Sequence, residues 1–181
     1  MRERLIMILG KTAKLRPWRE EDIQKLTEFR NDIDLQAQLL TRVRGSHDDQ
    51  TRRWLEQRSS NDNLLFVVAD RDSDTTMGYI QFIDIDPIDQ TAKLGICVAP
   101  TAQNKGLGKE VLTLALNYLH AGLGVRKVIL EVSSCNKRAI HCYEKIGFKQ
   151  CGMYLNHKYI TGIWHDVIVM ELFLETLVKQ K

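Results

Sequence analysis

Gln103-Asn104-Lys105-Gly106-Leu107-Gly108-Lys109, QNKGLGK, is the stretch that decides the fold. An apolar run from Leu94 to Ala99 leads into it and stops at Pro100, and a long apolar segment from Leu107 to Leu119 leads out. That order predicts a strand, a turn and a helix. Pro100 cannot donate to a sheet ladder, and Gly106 and Gly108 let the backbone curl tightly where the helix begins. The first turn of a helix carries unpaired N–H groups and the positive end of the helix dipole, so an anion belongs there. The two glycines put no side chain between those amides and a phosphate, while Lys105 and Lys109 add positive charge on either side. A pyrophosphate is the expected ligand.

Two common phosphate loops do not match. A P-loop needs Ser or Thr after its Gly-Lys pair to hold magnesium, and here Glu110 follows Gly108-Lys109. A dinucleotide fingerprint needs Gly or Ala where Val111 stands, and its first glycine should leave the strand directly. The pattern that does match is Gln-x-x-Gly-x-Gly, at Gln103, Gly106 and Gly108, after a strand ending Val98-Ala99-Pro100. It resembles the acetyl-CoA pyrophosphate loop of the GNAT N-acetyltransferase superfamily. A second segment, Asn136 to Phe148 (NKRAIHCYEKIGF), is similar to that family's helix bearing Asn, Ala and Tyr and closing on Gly-Phe. Asn136 and Tyr143 stand two helical turns apart, hence on one face, and Ala139 is small enough for a CoA arm to pass. The resemblance runs from about Lys14 to Leu174.

Composition agrees with one soluble domain. The 181 residues are 44% hydrophobic and 27% charged, enough for a single well-filled core. A net charge of +3 without a long basic run gives no argument for nucleic acid. The apolar run Leu5 to Leu9 is too short for a membrane span or a secretory signal. Cys97, Cys135, Cys142 and Cys151 have no metal-ligand spacing and read as free thiols of a cytoplasmic protein, so no metal is expected. The expected organisation is an N-terminal extension over 1–13, loose in structure, one domain over 14–175, and a short tail over 176–181.

Lys14 to Arg16 reads as a first strand, broken by Pro17-Trp18. Ile23, Leu26, Phe29 and Ile33 at helical spacing predict one amphipathic helix, and Asp48 to Arg58 a second, with Trp54 and Leu55 as apolar contacts. Leu64 to Ala69 and Met77 to Ile85 form a hairpin, and Thr91 to Ala99 returns as the strand before QNKGLGK. Lys127 to Val132, a helix from Asn136 to Ile146, and strands at Phe148 to Tyr154 and Ile163 to Leu174 complete the chain. The order βααβββαβαββ implies an α/β fold of mixed α+β type. The resemblance makes it the GNAT fold: a central, mixed, mostly antiparallel twisted sheet of about seven strands with helices on both faces.

The resemblance implies an acetyl-CoA-dependent N-acetyltransferase acting by direct attack of an amine in a ternary complex. The CoA contacts it implies are Ile96, Cys97 and Val98 along the strand edge, Gln103, Asn104, Lys105, Gly106, Leu107, Gly108 and Lys109 in the loop, and Asn136, Ala139 and Tyr143 on the helix. Tyr143 is the implied acid that returns a proton to the CoA sulfur. Glu131, twelve residues before Tyr143, resembles the Glu of the RimJ/RimL-like branch. On an otherwise apolar strand its carboxyl would have a raised pKa and could serve as base. The other reading is an ion-pair partner or a solvated edge residue. His141, His157 and His165 read as surface or core histidines.

The acceptor is the least determined part. Arg42, Arg44, Arg52, Arg53 and Arg58 read either as a solvated helix face or as a site for an anionic acceptor such as a nucleotide-linked amino sugar, while Asp84 and Asp86 suit a cationic amine and Arg30 is a further weak acceptor contact. Amino-sugar nucleotides rank first, a protein N-terminus second and polyamines third, the protein acting as monomer or homodimer. A non-catalytic acyl-CoA sensor is the reading from another class, and the presence of Tyr143 argues against it.

Overall fold

The computed structural model describes residues 7–60 and 62–175. Two strands open the chain, β1 (Ile8–Leu9) and β2 (Ala13–Arg16), followed by helices α1 (Ile23–Asn31), α2 (Ile33–Gln38) and α3 (Asp48–Gln57). A meander of β3 (Leu64–Asp70), β4 (Thr76–Asp86) and β5 (Thr91–Val98) leads to α4 (Leu107–Leu123), then β6 (Lys127–Ser133), α5 (Lys137–Ile146), β7 (Lys149–Ile160) and β8 (Ile163–Phe173). The eight strands form one sheet in the order β1-β2-β3-β4-β5-β6-β8-β7. Among the described residues only β5 and β6 run parallel.

The eighth strand is β1. Ile8 and Leu9 lie antiparallel to Leu15 and Lys14, so this part of the expected loose extension belongs to the sheet. Glu110 in the first turn of α4 holds the connection, accepting from the Thr12 N–H at 2.9 Å, the Thr12 hydroxyl at 2.6 Å and the Ala13 N–H at 3.3 Å. Residues 1–6 and the 176–181 tail lie outside the described residues.

The single first helix is in fact two. Asp32 interrupts it with an extended backbone (φ −76°, ψ 109°), and its carboxylate accepts the Leu35 N–H at 2.9 Å, capping α2. Ile33, assigned to the apolar stripe, is consequently 65% exposed.

Helices cover both faces. Phe66, Ile80 and Ile96 are successive register partners, and Phe66 meets Tyr118 of α4 edge-on at 5.6 Å. Val67, Tyr79 and Cys97 form the neighbouring row, so they point the other way, and Tyr79 meets Trp54 of α3 at 5.1 Å. Val111, Leu112, Ala115, Leu116 and Leu119 of α4 are buried on the first face. Val111, Leu112, Leu116 and Leu119 each contribute about 1.5–3 kcal/mol from burial, and the Ala115 methyl less.

The functionally decisive feature is a split in the sheet. β5 and β6 pair only from Thr91–Lys127 to Leu94–Leu130. Beyond that point β5 stays with β4 as far as Val98, and β6 stays with β8 as far as Ser133. The two halves part and leave unpaired backbone on either side of a cleft.

Candidate active site

A cavity of about 860 Å³ fills this cleft. Its wall on the α4 side is the QNKGLGK turn. Gln103 Nε2 donates to the Val98 carbonyl at 2.8 Å and ties the turn to the end of β5. Asn104 (φ 62°) and Gly106 (φ 78°) both adopt the left-handed conformation, and Gly106 is the N-cap of α4. A side chain at 106 would be strained there, which is why glycine occupies it. A Cβ on Gly108 would stand 3.6 Å from Cys142 Sγ, so the first turn of α4 packs closely on α5.

On β5 the Ala99 N–H donates to the Met77 carbonyl on β4 at 2.8 Å. Antiparallel ladders alternate, so the N–H groups of Ile96 and Val98 point the opposite way, into the cleft where no strand remains to receive them. Extended groups can be bound there as an added strand.

The wall opposite is α5. Asn136 caps it, its Oδ1 accepting the Ala139 N–H at 3.1 Å. Tyr143 lines the cavity, packs edge-on against Phe148 at 5.8 Å, and makes no hydrogen bond through its hydroxyl among the described residues. Burial pushes its pKa well above the ordinary tyrosine value, with Cys142 adding to the rise. Burial raises the Cys142 thiol too, against the pull of Lys109 and Lys145. Those two lysines line the cavity together with Arg138 and His141. This cationic margin around the start of α4 suits phosphate groups.

Ten of the expected CoA contacts line the cavity: Ile96, Val98, Gln103, Asn104, Gly106, Gly108, Lys109, Asn136, Ala139 and Tyr143. Cys97, Lys105 and Leu107 do not. The Cys97 side chain points to the opposite face of β5, where burial pushes its thiol up to about 12. Leu107 turns into the core, and Lys105 is exposed on the turn.

The second face of the sheet supplies the other half of the cavity. Gln81, Lys93 and Gly95 meet Ile129 and Glu131 there, under a cover of Leu35, Gln38, Leu39, Leu40 and Thr41 from α2 and the loop after it. Arg138 of α5 donates to Gln38 Oε1 at 2.9 Å and joins the two sides. Glu131 is the only carboxylate lining the cavity among the described residues. It is solvent-exposed at the mouth of the cleft rather than buried on an apolar strand.

The three weaker acceptor candidates lie elsewhere. Asp84 pairs with Lys93 at 2.9 Å in the open, and Asp86 accepts the N–H groups of Ile88 and Asp89 at 2.7 and 2.9 Å, shaping the turn. Arg30 stacks over the Trp54 ring at 4.8 Å; burial lowers its pKa. None of the arginines from Arg42 to Arg58 lines the cavity: Arg52 pairs with Glu20, and Arg42 donates to the Tyr159 carbonyl at 3.2 Å. Sequence reasoning missed Gln81, Arg138, Lys145 and the α2 cover. Register and the split bring Gln81 to the cavity, whereas Arg138 and Lys145 come with α5, the helix of Tyr143.

Comparison with known proteins matches the acetyltransferase (GNAT) domain model to residues 13–149. The spermidine N(1)-acetyltransferase of Vibrio cholerae is 27% identical over 153 residues, covering 84% of this chain and 88% of the relative. That of Escherichia coli K12 is 25% identical over 162 residues, 90% and 86% of the two chains. The crystal structure of the Vibrio cholerae spermidine N-acetyltransferase in complex with CoA and spermine superposes with a TM-score of 0.86 at 24% identity, over 92% of this chain and 98% of that one. Among the described residues no helix is long and apolar enough to cross a membrane.

Proposed function

The chain belongs to the GNAT acetyltransferase family, and from that premise we propose that its acceptor is a primary amine of a polyamine such as spermidine. It is an acetyl-CoA-dependent N-acetyltransferase. The observation that carries the polyamine reading is likeness over most of the chain to two spermidine N(1)-acetyltransferases. The site adds a reason: the cavity offers a carboxylate, Glu131, and none of the loop arginines that an anionic sugar nucleotide would need. The amino-sugar acceptor, first by sequence, therefore falls behind the polyamine.

The residues fit the donor. The amides at the start of α4, with Lys109, Lys145 and Arg138, would hold its phosphates, and the free N–H groups of Ile96 and Val98 its pantetheine arm. Acetyl-CoA supplies a thioester acetyl group and a thiolate leaving group. The Ile96 and Val98 edge offers donors for the oxyanion that develops as the amine attacks. Tyr143, kept protonated by burial, gives its proton to the departing sulfur. An aliphatic ammonium has a pKa of about 10.4, so its nitrogen must shed a proton before attack. Glu131, in contact with solvent at the cleft, accepts that proton directly or through water and passes it outward.

The test is acetyl-CoA-dependent release of free CoA thiol across polyamines, amino-sugar nucleotides and N-terminal peptides. Polyamines should give the highest kcat/KM. A response confined to another class would replace the acceptor, and acetyl-CoA binding without any release would favour a sensor.

A further inference from the structure

The first turn of α4 meets the cleft on one side, where Gly106, Gly108 and Lys109 line the cavity, and residues 10–13 on the other. The Glu110 N–H donates to the Gly106 carbonyl at 3.2 Å and closes that turn. Helix ends fray, since their outer groups lack helical partners, and this end has glycine at the N-cap and no side-chain cap. The Glu110 carboxylate supplies another tie, to the Thr12 N–H and hydroxyl and the Ala13 N–H, with Thr12 98 residues away in sequence. Against the upward push of burial, these bonds and one from the Lys11 N–H hold its carboxyl below the ordinary range. The anchor is itself held. The Gly10 N–H donates to the Ala13 carbonyl at 2.8 Å, and Arg71, in the turn between β3 and β4, donates to the carbonyls of Gly10 and Thr12. A Cβ at Gly10 would overlap Glu110 Oε1 and stand 2.7 Å from Leu114 Cδ1, so glycine there lets the chain press onto α4. The matched family domain begins at residue 13, and Gly10 and Thr12 lie outside it.

We propose that residues 10–13 and Glu110 form a clasp that fixes the first turn of α4 for the pyrophosphate of the donor. Glu110 does not line the cavity, so it acts through the backbone amides beside it and is a positioning residue for acetyl-CoA binding. With the clasp closed, the N–H groups around Gly106 and Gly108 are aimed before the ligand arrives, and binding does not have to order them. This rests on the acetyl-CoA reading of the cleft and not on which amine is preferred.

Glu110→Ala opens the clasp, and acetyl-CoA should then bind about tenfold more weakly, the worth of one hydrogen bond to a charged group. The kcat at saturating acetyl-CoA and the KM of the amine should stay within about twofold, because the reacting groups lie on other elements. S-acetylpantetheine, a thioester donor without a pyrophosphate, separates positioning from general damage: its kcat/KM should match the wild type within about twofold. Glu110→Gln keeps an acceptor oxygen for the Thr12 and Ala13 N–H groups and should recover most of the affinity. Thr12→Val removes only the hydroxyl bond and should fall between wild type and Glu110→Ala. An unchanged acetyl-CoA Kd in Glu110→Ala overturns the inference. So does an equal loss with acetyl-CoA and S-acetylpantetheine, which would assign Glu110 to the stability of the fold as a whole. If Glu110→Ala does not fold, Thr12→Val decides in the same way: weaker acetyl-CoA binding with S-acetylpantetheine unaffected supports the clasp, and an unchanged Kd overturns it. A wild type that binds no acetyl-CoA removes the donor reading itself, and the clasp with it.

Discussion

Replacing Tyr143 by Phe removes one oxygen and leaves the rest of the site in place. The ring keeps its edge-on contact with Phe148, 5.8 Å between centroids at 62°. The hydroxyl has no hydrogen-bond partner among the described residues, so its loss should change folding stability by no more than about 1 kcal/mol. Acetyl-CoA affinity should hold as well, since the phosphate and strand-edge contacts lie on other residues. Turnover is different. Loss of a positioned general acid costs about 10²- to 10⁴-fold, or about 2.7–5.4 kcal/mol at 1.36 kcal/mol per decade. Free CoA thiol released under saturating acetyl-CoA, measured beside Tm and acetyl-CoA Kd, separates these effects. Burial raises the pKa of Tyr143, so the wild type should show no alkaline fall from loss of this acid below about pH 10, the ordinary tyrosine value. Equal turnover in Tyr143→Phe and wild type across the pH range would refute the assignment.

Further outcomes follow from the same geometry. Glu131→Gln should fold like the wild type, within about 0.5 kcal/mol, because the side chain is exposed. Its kcat/KM should drop most at low pH, where the amine most needs a base; a uniform loss with a lower Tm would assign Glu131 a structural role. Gly106→Ala forces a left-handed alanine (φ 78°) with nothing within 4 Å to clash, so about 1–2 kcal/mol of backbone strain should appear in Tm together with weaker acetyl-CoA binding. Asp22→Ala should cost about 3–5 kcal/mol in urea unfolding. It strips the buried Arg16 guanidinium of a pair bonded at 2.7 and 2.9 Å. Against the upward push of burial, hydrogen bonds from Arg16, Arg19 and Lys14 lower Asp74 to about 2, and bonds from Arg16, Thr76 and the Arg19 N–H lower Asp22. Stability from these carboxylates is therefore full above the unfolded value of about 4 and is lost as pH falls towards 2. Acid unfolding of Asp74→Asn should lose part of that pH dependence.

The parts of the fold fixed by local chemistry were legible in the sequence. Pro100, Gly106 and the apolar run behind them set the end of β5 and the start of α4, and the apolar blocks at Leu64 and Lys127 marked β3 and β6 within a residue. The turn could be singled out because its glycines and lysines stand within one short stretch, and Tyr143 because its segment resembles the helix of a known family. The break at Asp32 was hidden, since Ile33 continues the helical spacing that the cap interrupts. β1 was hidden because two residues cannot declare a strand alone; β2 and Glu110 hold them. Asp84 and Asp86 have the right charge for a cationic amine, yet an ion pair and a turn use them. Gln81 carries no motif at all. Its place follows from a register with Gly95 and from where β5 and β6 part, which are properties of the assembled sheet.

The most direct measurement is mass spectrometry of the product from acetyl-CoA and spermidine, with wild type and Tyr143→Phe run side by side. The account predicts singly acetylated spermidine, formed with one CoA thiol per product, and a rate at least about a hundredfold lower in the variant. Unmodified spermidine, in a reaction where the same enzyme acetylates an amino-sugar nucleotide or a peptide N-terminus, would contradict it.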